Sequence, residues 1–540
     1  MAGVPDLSAA AGAVQVARAV IDQAARRLSA GGPGAVDDNQ AVAYDLAHAA
    51  AAVEAARQML DYGTRGGEEA ALAAAFTADA VWDLSARLLG REACWGVPAD
   101  AVEPARPFLV AHRDPAWLSS LAGVTGPRHL DADFEMVAET FRRFAEDRIA
   151  PAAERIHRDN TDIPEEIISG LGRLGAFGLS IPEEYGGFAS GGERDYLGMV
   201  VATEELSRAS LAAGGSLVTR PEILARALLR GGSEEQKRRW LPGLATGEIM
   251  AAVAVTEPDF GSDVAGITTS AARSGGGWLL RGTKTWSTFA ARADLLMVLA
   301  RTDPDRRKGH RGLSLFVVPK DRAEGRGFVL TQPRGGRLEG RPIDTIGYRG
   351  MHSYELSFDG WWVPEDHLVG GEGGVGRGFY YQMDSFANGR LQTAARAVGV
   401  MQAAYDLAAS YAAERVVFGR PVGDYQLTRV KLTRMAAAVQ ATRQHAYAVA
   451  RLMARGEGSL EASMIKTYAC RAAEWVTREA MQIHGGMGYA EESPVSRLFV
   501  DARVLSIFEG ADETLALKVV ARRLAEQAGA GVLRPASGAP

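Results

Sequence analysis

Cysteine is scarce in this sequence. Its 540 residues contain two, Cys94 and Cys470. Two distant thiols with no CxxC pair exclude a disulfide framework and a zinc site of the usual spacing, and we expect no metal. Unpaired thiols are typical of a reducing compartment, so the cysteine content predicts a cytoplasmic protein.

The sequence also lacks a long apolar run and a strong charge of either sign. No segment reaches the roughly 18 uninterrupted apolar residues of a membrane span. The start of the chain carries Asp6 and Asp22 instead of the basic region of a signal peptide. Sixty basic and 66 acidic residues leave a net charge of −6. This balance does not favour a nucleic-acid or membrane partner.

What the sequence does contain is a change of pattern from helix to sheet and back, along a chain too long for one core. Alanine-rich helical spacing gives way after residue 250 to short alternating runs such as 313–318 (LSLFVV), and returns near residue 379. The pattern predicts a mostly α, α+β chain. Its predicted segments are an N-terminal helical extension (1–96), a proline-rich linker (97–130), a helical domain (131–250), a central β domain (251–372), a C-terminal bundle of helices (373–526) and a disordered tail (527–540).

The N-terminal extension echoes part of the predicted C-terminal bundle. Residues 50–58 (AAAVEAARQ) read almost as 436–444 (AAAVQATRQ), and the same offset aligns Gln40 with Gln426. Alanine-rich helices use few residue types, so chance explains the echo as well as duplication does. A degenerate copy would lack the glycine run and the acidic loop described next, so we expect it to have a structural or assembly role and no cofactor.

Four segments combine small, hydroxyl, amide and aromatic residues in a way that suits a flat ring system bearing phosphates. They are 253–262 (VAVTEPDFGS), 284–288 (KTWST), 415–426 (RVVFGRPVGDYQ) and 482–488 (QIHGGMG). Glycines let a backbone approach a ligand closely, and exposed N–H groups, a cation or an amide can bind phosphate oxygens. Taken alone, each segment is better explained by a structural feature: a turn, a loop that ends a helix bundle, a core tryptophan or a solvated helix end.

A fifth segment, 506–511 (SIFEGA), supplies a candidate base. Glu509 lies between Phe508 and Gly510. Partial removal from water makes a carboxylate a stronger proton acceptor, which favours a catalytic role. An exposed loop glutamate is the alternative for this segment alone.

Together, in this order and at these spacings, the segments resemble the acyl-CoA dehydrogenase family over about residues 131–525. The resemblance includes 177–187 (FGLSIPEEYGG), 358–360 (FDG) and a family signature at 482–501. Phe260 departs from the family pattern, which usually has a small residue before Gly-Ser-Asp, and Ala511 stands where threonine is common.

The resemblance implies a helical domain, a β-barrel-like domain and a C-terminal four-helix bundle that together bind FAD. Arg415, Phe418, Gln426 and the 482–486 run would reach the FAD of a neighbouring subunit, which implies a homodimer or homotetramer. The implied FAD contacts are Val253, Val255, Thr256, Gly261, Ser262, Trp286, Ser287, Thr288, Arg415, Phe418, Gln426, Gln482, Gly485, Gly486, Ala511 and Glu513.

The resemblance also implies α,β-dehydrogenation of an acyl-CoA. Glu509 would remove the α-proton, the β-hydride would pass to flavin N5, and an electron-transfer flavoprotein would accept the electrons; a relative that uses oxygen remains an alternative. The implied substrate contacts are Ser262, Arg220, Arg390 and Gly510, with Arg390 near the active carboxylate.

Arg220 bears on the identity of the acyl group. It lies in 219–223 (TRPEI), where the family's acyl pocket is walled. A cation there favours an acyl group ending in carboxylate, with Arg349 a weaker second candidate; an Arg220 that extends into solvent is the alternative.

The extension before residue 131 and the stretch 215–220 (GSLVTR) are similar to one branch of the family. That branch oxidises (2S)-methylsuccinyl-CoA to mesaconyl-CoA in the ethylmalonyl-CoA pathway. A short branched-chain or glutaryl-type dehydrogenase is the alternative. A non-catalytic or DNA-binding flavoprotein of the same fold is disfavoured by the acidic balance and by Glu509.

Overall fold

Helices precede and follow a central sheet in the computed structural model of the protein, which describes residues 5–323 and 325–531. The helices are α1 (Leu7–Ala30), α2 (Ala35–Asp38), α3 (Gln40–Gly63), α4 (Gly67–Leu88), α5 (Glu92–Trp95), α6 (Arg106–His112), α7 (Pro115–Ser120), α8 (Ala132–Phe144), α9 (Ala150–Asp159), α10 (Glu165–Arg173), α11 (Glu193–Ala209), α12 (Thr219–Gly231), α13 (Glu234–Thr246), α14 (Gly378–Glu414), α15 (Gln426–Ala454), α16 (Ser459–His484), α17 (Gly486–Tyr489), α18 (Pro494–Leu505), α19 (Asp512–Thr514) and α20 (Arg522–Gly529). The strands are β1 (Ala251–Ala254), β2 (Ser270–Arg273), β3 (Gly277–Thr288), β4 (Leu295–Arg301), β5 (Leu313–Pro319), β6 (Phe328–Thr331), β7 (Arg337–Ile343), β8 (Ser353–Pro364), β9 (Val416–Val417) and β10 (Arg420–Pro421).

The chain divides into two compact units, Met136–Gln392 and a second unit made of Met1–Glu135 with Thr393–Pro540. The first of these contains the sheet, ordered β1-β4-β2-β3-β8-β7-β6, with β5 paired to β4. Strand β4 is buried at every position because its run LLMVLA is apolar on both faces, whereas β3 and β8 include exposed positions. The predicted change from helix to sheet near residue 250 is confirmed.

In the other unit the N-terminal extension packs on the C-terminal helices. Helices α3 and α4 pack against each other and against α15. Arg434 on α15 pairs with Asp79 on α4 through Nε and Oδ2 at 2.8 Å. The stretch 97–130, predicted to be a linker, contains α6 and α7, and the Leu118 carbonyl accepts a hydrogen bond from Thr433 on α15. The extension and the stretch after it therefore contact the C-terminal helices at several points along their length.

The sequence echo coincides with equivalent helix starts. Gln40 is the first residue of α3 and Gln426 is the first residue of α15. Each of these helices is followed by a long partner, α4 or α16, against which it packs. Duplication, like the role of the extension, remains a prediction.

The end of the chain is helical further than the sequence predicted. Helix α20 ends at Gly529, so it extends into the segment predicted to be a disordered tail. Residues 532–540 of that tail lie outside the described residues. Within the described part of the chain, no helix combines the length and apolar character needed to cross a membrane.

A buried histidine on α15 predicts a pH-dependent stability. Neither ring nitrogen of His445 has a hydrogen-bond partner among the described residues, and burial lowers its pKa to about 4. The unfolded chain, with a histidine pKa near 6.5, then binds the proton more readily than the folded chain. Folding stability should therefore fall as pH falls from 6.5 towards 4, by about 2 kcal/mol between pH 7.5 and 5.

Urea unfolding of wild type and His445→Leu at pH 7.5 and pH 5 measures this contribution. The variant should lose about 2 kcal/mol less than wild type on acidification, since leucine takes up no proton. Equal losses in both proteins would assign the acid sensitivity to other groups.

Candidate active site

Glu509 lies in a tight loop between α18 and α19. The loop is closed by the Asp512 backbone N–H, which donates to the Ser506 carbonyl at 3.0 Å. Glu509 and Gly510 both have positive φ angles, 56° and 99°. A glutamate in this region is uncommon and costs conformational energy, so surrounding contacts must hold it there.

Lys466 supplies part of that restraint. Its ammonium group on α16 donates to the Phe508 carbonyl at 2.8 Å and also to the Gly510 carbonyl. These two carbonyls flank Glu509, and Lys466 is 1% exposed. One buried cation therefore fixes the backbone on both sides of the candidate base.

Arg396 is the cation beside the Glu509 side chain. Its Nη2 lies 3.7 Å from Glu509 Oε1, and its guanidinium carbon lies 5.4 Å from the Phe508 ring centroid. Arg396 is fully buried on α14, whereas the Glu509 side chain keeps 12% exposure. Glu509 thus presents its carboxylate at the edge of a buried, positively charged wall.

The same unit exposes the residues predicted to reach a neighbouring subunit's cofactor. Arg415, Gln426, Gln482 and the Gly485–Gly486 pair are all exposed, and Phe418 is 98% exposed. The Tyr411 and His484 rings stack at 4.4 Å, which brings the end of α14 to the end of α16. A Cβ added to Gly485 or Gly486 would meet nothing within 4 Å, so a ligand can approach the backbone there.

In the unit containing the sheet, the end of β3 presents an aromatic face. Trp286 is 55% exposed and has a φ of 57°, at an irregularity in the pairing of β3 with β8. Thr288 is partly buried and its hydroxyl lies 3.1 Å from that of Ser353. Ser287 is buried, and its hydroxyl oxygen has no hydrogen-bond partner among the described residues.

A buried ion pair joins this strand to the predicted flavin loop. Lys284 on β3 donates to the Val255 carbonyl and to Glu257 Oε1, both at 2.9 Å. Burial lowers the pKa of Lys284, and the Lys284 cation lowers the pKa of Glu257 although burial of that carboxyl opposes it. The Thr285 N–H also donates to the Thr256 carbonyl at 2.8 Å. The predicted loop and strand segments are thus brought together.

The structure explains the departure at Phe260. A Cβ at Gly266 would lie 2.5 Å from the Phe260 ring, so the aromatic side chain occupies the space above this glycine. Gly261 and Ser262, which follow Phe260, remain exposed. The larger residue therefore leaves the predicted ligand-binding positions accessible.

Arg220 is buried at the start of α12, directly after a π-helical turn at Leu211–Ser216. It is 6% exposed, which excludes the alternative in which it extends into solvent. Its guanidinium donates to the Ser216 carbonyl at 3.3 Å and to the Thr219 hydroxyl at 3.2 Å. π-Helical turns occur often at functional sites, so its placement fits a binding role.

A buried carboxylate two residues away ties α12 to α14. Glu222 accepts a hydrogen bond from Asn388 Nδ2 at 2.6 Å, another from Gln392, and one from Arg226 Nε at 2.9 Å. The charge of Glu222 is thus matched by Arg226, which faces it from the next turn of α12. Arg390, between the two amides on α14, is also buried.

The second cation candidate, Arg349, donates its hydrogen bonds to backbone carbonyls. Its guanidinium donates to the carbonyls of His157 at 2.9 Å and Thr345 at 3.1 Å. These bonds join its loop to α9, which favours a structural role over recognition of a substrate carboxylate.

Three family models match almost the whole chain after the extension. The acyl-CoA dehydrogenase N-terminal, middle and C-terminal domains match residues 131–248, 252–361 and 376–525. The chain belongs to the acyl-CoA dehydrogenase family. The predicted fold and enzyme class are therefore confirmed: an acyl-CoA dehydrogenase fold preceded by an N-terminal helical region, and an oxidoreductase acting on CH–CH groups.

The chain is also similar to individual proteins and solved structures of this family. The chain is 41% identical over 440 residues to a (2S)-methylsuccinyl-CoA dehydrogenase of Cereibacter sphaeroides, covering 79% of this chain and 77% of that one. A glutaryl-CoA dehydrogenase solved with glutaryl-CoA is 32% identical, with a TM-score of 0.66, over 75% of this chain and 96% of that one. A glutaryl-CoA dehydrogenase of Mycobacterium smegmatis in complex with FADH2 is 27% identical, with a TM-score of 0.65, over 74% of this chain and 96% of that one.

Each unit, taken by itself, exposes residues that suit one part of a flavin dinucleotide. Trp286 offers an open aromatic face with a hydroxyl two residues on, while Arg415 and Gln426 offer donors suited to phosphate oxygens. Open space over Gly261 and Gly485 allows close approach to backbone N–H groups.

Sequence reasoning missed Lys466 and Arg396. Both are charged residues at positions where their helices are otherwise apolar, as in 463–470 (SMIKTYAC) and 391–398 (LQTAARAV). A buried cation needs a partner, so this interruption of an apolar face was the available signal.

Proposed function

We propose that this acyl-CoA dehydrogenase binds FAD and oxidises (2S)-methylsuccinyl-CoA to mesaconyl-CoA. The observation that carries the substrate assignment is the burial of a cation, Arg220, where the family's acyl pocket is walled. The Ser216 carbonyl and the Thr219 hydroxyl hold the guanidinium in place, and a guanidinium so placed has the charge and the donor geometry to bind a substrate carboxylate. The similarity to a methylsuccinyl-CoA dehydrogenase supports the same assignment.

Glu509 has the role of base in this reaction. A thioester makes the adjacent α-proton weakly acidic, and the Glu509 carboxylate accepts that proton. Lys466 keeps the loop in the geometry that presents the carboxylate, and Arg396 supplies a fixed positive charge beside it. FAD, when bound, supplies the acceptor for the hydride that leaves the β-carbon. The organic product is the enoyl-CoA, and an electron-transfer flavoprotein would accept the two electrons that the substrate gives up.

A second copy of the chain completes the cofactor site. Phe418 is 98% exposed at the tip of the β9–β10 hairpin, and Tyr425 orders this hairpin through a 2.7 Å bond to the Val417 carbonyl. An exposed aromatic ring on an ordered hairpin, next to Arg415 and Gln426, suits the dinucleotide end of a neighbour's FAD. This supports a homodimer or homotetramer.

Anaerobic flavin reduction by four thioesters tests the substrate assignment. Methylsuccinyl-CoA should reduce the wild-type flavin faster than glutaryl-, isobutyryl- or butyryl-CoA. Arg220→Ala should lose about 10- to 100-fold in kcat/KM for methylsuccinyl-CoA, since a hydrogen bond to a charged group contributes about 1.5–3 kcal/mol. Butyryl-CoA, which has no free carboxylate, should lose much less of its kcat/KM.

Two further variants control for damage to α12. Arg220→Lys retains the charge without the forked donors and should fall between wild type and Arg220→Ala. Arg230→Ala removes an exposed arginine at the other end of the helix and should leave kcat/KM unchanged for both methylsuccinyl-CoA and butyryl-CoA. Equal losses for methylsuccinyl- and butyryl-CoA in Arg220→Ala would remove Arg220 from substrate recognition.

A further inference from the structure

We propose that Tyr44 and His48, on helix α3 of the N-terminal extension, are positioning residues for the loop that carries Glu509. They act through Asp512, which lies three residues beyond Glu509 in the sequence. The proposal rests on the assignment of Glu509 as the base. It gives the extension an indirect part in catalysis, through the position of the loop, in addition to its packing on the bundle.

The contact is short and shielded from water. The Tyr44 hydroxyl donates to Asp512 Oδ2 at 2.6 Å, and His48 Nε2 lies 3.1 Å from the same oxygen. The two rings meet edge to face at 4.4 Å, and Asp512 is 8% exposed. Two aromatic donors on successive turns of one helix therefore hold a single carboxylate oxygen.

The protonation states are consistent with two donors and one acceptor. Burial lowers the pKa of His48, so the ring is neutral at pH 7 and its Nε2 carries the donated proton. Burial, together with the Asp512 bond, raises the pKa of Tyr44 to about 12. Burial by itself would raise the pKa of Asp512, but the hydrogen bonds from His48 and Tyr44 outweigh burial, so the pKa is lowered. The carboxylate stays ionised, so both bonds persist across the neutral range.

Asp512 connects this contact to the loop of Glu509. It is the first residue of α19, and its backbone N–H forms the 3.0 Å bond to Ser506 that closes the loop. Lys466 holds the carbonyls of Phe508 and Gly510, which are nearer to Glu509. The C-terminal end of the loop is held from the extension, so a shift of Asp512 would move the strained Glu509–Gly510 pair.

The extension also holds the residues that follow the loop. Asp37 on α2 pairs with Lys518 and with Arg522, whose Nη2 lies 3.3 Å from the Asp37 carboxylate. Helices α1 and α3 pack against α20 and the π-helical turn Leu515–Ala521. These ion pairs are exposed and contribute little to stability. The part-buried Tyr44–Asp512 bond and the buried His48–Asp512 bond are the contacts that reach the loop itself.

The test compares two tyrosines on α3 in the full-length holoenzyme. Tyr44→Phe removes the bond to Asp512, and Tyr62→Phe removes a similar 3.0 Å bond to the Pro127 carbonyl, away from the loop. The readout is the rate constant of anaerobic flavin reduction per bound flavin, at saturating concentration of the thioester that reduces wild type fastest. Tyr44→Phe should lower this rate constant about tenfold, because small displacements of a reacting group are costly. Tyr62→Phe should stay within about twofold, as expected away from the loop.

Substitutions at Asp512 decide whether the effect passes through this carboxylate. Asp512→Ala should lower the rate constant at least as much as Tyr44→Phe does. Asp512→Asn keeps an acceptor for the Tyr44 hydroxyl, so its rate constant should lie much nearer to that of wild type than to that of Asp512→Ala. The double variant Tyr44→Phe/Asp512→Ala should be no slower than Asp512→Ala alone, since both changes break one interaction. If Tyr44→Phe does not fold, the rate constants of Asp512→Asn and Asp512→Ala test the proposal instead, and equal rate constants in these two variants would contradict it.

Three results would overturn the proposal: an unchanged rate constant in Tyr44→Phe, an equal loss in Tyr62→Phe, or additive losses in the double variant. A purely structural role would lower flavin content or the melting temperature without changing the rate per bound flavin. Failure here is distinct from failure of the proposed function. If Glu509→Gln abolishes flavin reduction while Tyr44→Phe does not alter it, only the positioning role is lost.

Discussion

Glu509→Gln is expected to bind FAD and acyl-CoA and to reduce its flavin at least about 10³-fold more slowly than wild type. Glutamine has the size of glutamate but no basic oxygen, and general-base catalysis typically contributes 10²- to 10⁴-fold. The measurement is anaerobic bleaching of the flavin absorbance after addition of methylsuccinyl-CoA. Because Arg396 lies 3.7 Å from the carboxylate, the substitution also leaves a buried guanidinium beside a neutral amide.

Glu491→Gln is the matched control for this experiment. It makes the same chemical change at an exposed glutamate of the same unit and should reduce at the wild-type rate. A Glu509→Gln protein whose flavin is reduced within tenfold of the wild-type rate would place the base elsewhere. Loss of FAD would instead assign Glu509 a part in cofactor binding.

Lys466→Met is expected to have the second largest effect, on both stability and rate. Methionine keeps much of the side-chain volume but leaves the Phe508 and Gly510 carbonyls without their donor. Loss of these charge-assisted bonds should cost about 2–5 kcal/mol of folding free energy. The released loop should lower the rate of flavin reduction about 10²-fold, since misplacement of a catalytic group by 1 Å has effects of this size.

Thr477→Val controls for removal of a buried polar group from the same helix. Its hydroxyl is fully buried and donates to the Ala473 carbonyl at 2.7 Å, eleven residues along α16 and so about 16 Å from Lys466. Urea unfolding and stopped-flow reduction of both variants separate the two effects. A Lys466→Met protein that is destabilised but reduces its flavin at the wild-type rate would show that Lys466 stabilises the fold without positioning Glu509.

Several elements of the fold were predictable because their signals are local. The helical spacing before residue 250, the alternating strands after it and the return to helix near 379 each depend on side chains within a few turns of one another. The offset that aligns Gln40 with Gln426 was also visible in the sequence, and only the structure shows that both residues begin helices. The end of α20 was missed because the glycines and prolines from Gly529 onward indicate irregular chain, whereas the helix continues through Gln527 and Ala528, which are good helix formers.

The candidate site was predictable only in part. Glu509, Trp286 and the glycines near His484 stand in motifs whose order and spacing can be read directly, and their roles remain predictions. Arg220 could be named as a candidate cation, but its burial could not be known. Whether a side chain on an amphipathic helix faces solvent or core depends on which helix packs against it.

The sequence by itself determined the family and the succession of helical and β segments, and it singled out Glu509 as the candidate base. Only the tertiary structure placed Lys466 on the two carbonyls around Glu509 and Arg396 beside its carboxylate. It also joined Tyr44 to Asp512, residues 468 positions apart. The physical reason is that motifs record which groups are present, while contacts between distant helices depend on how their faces pack, and no short-range pattern encodes that.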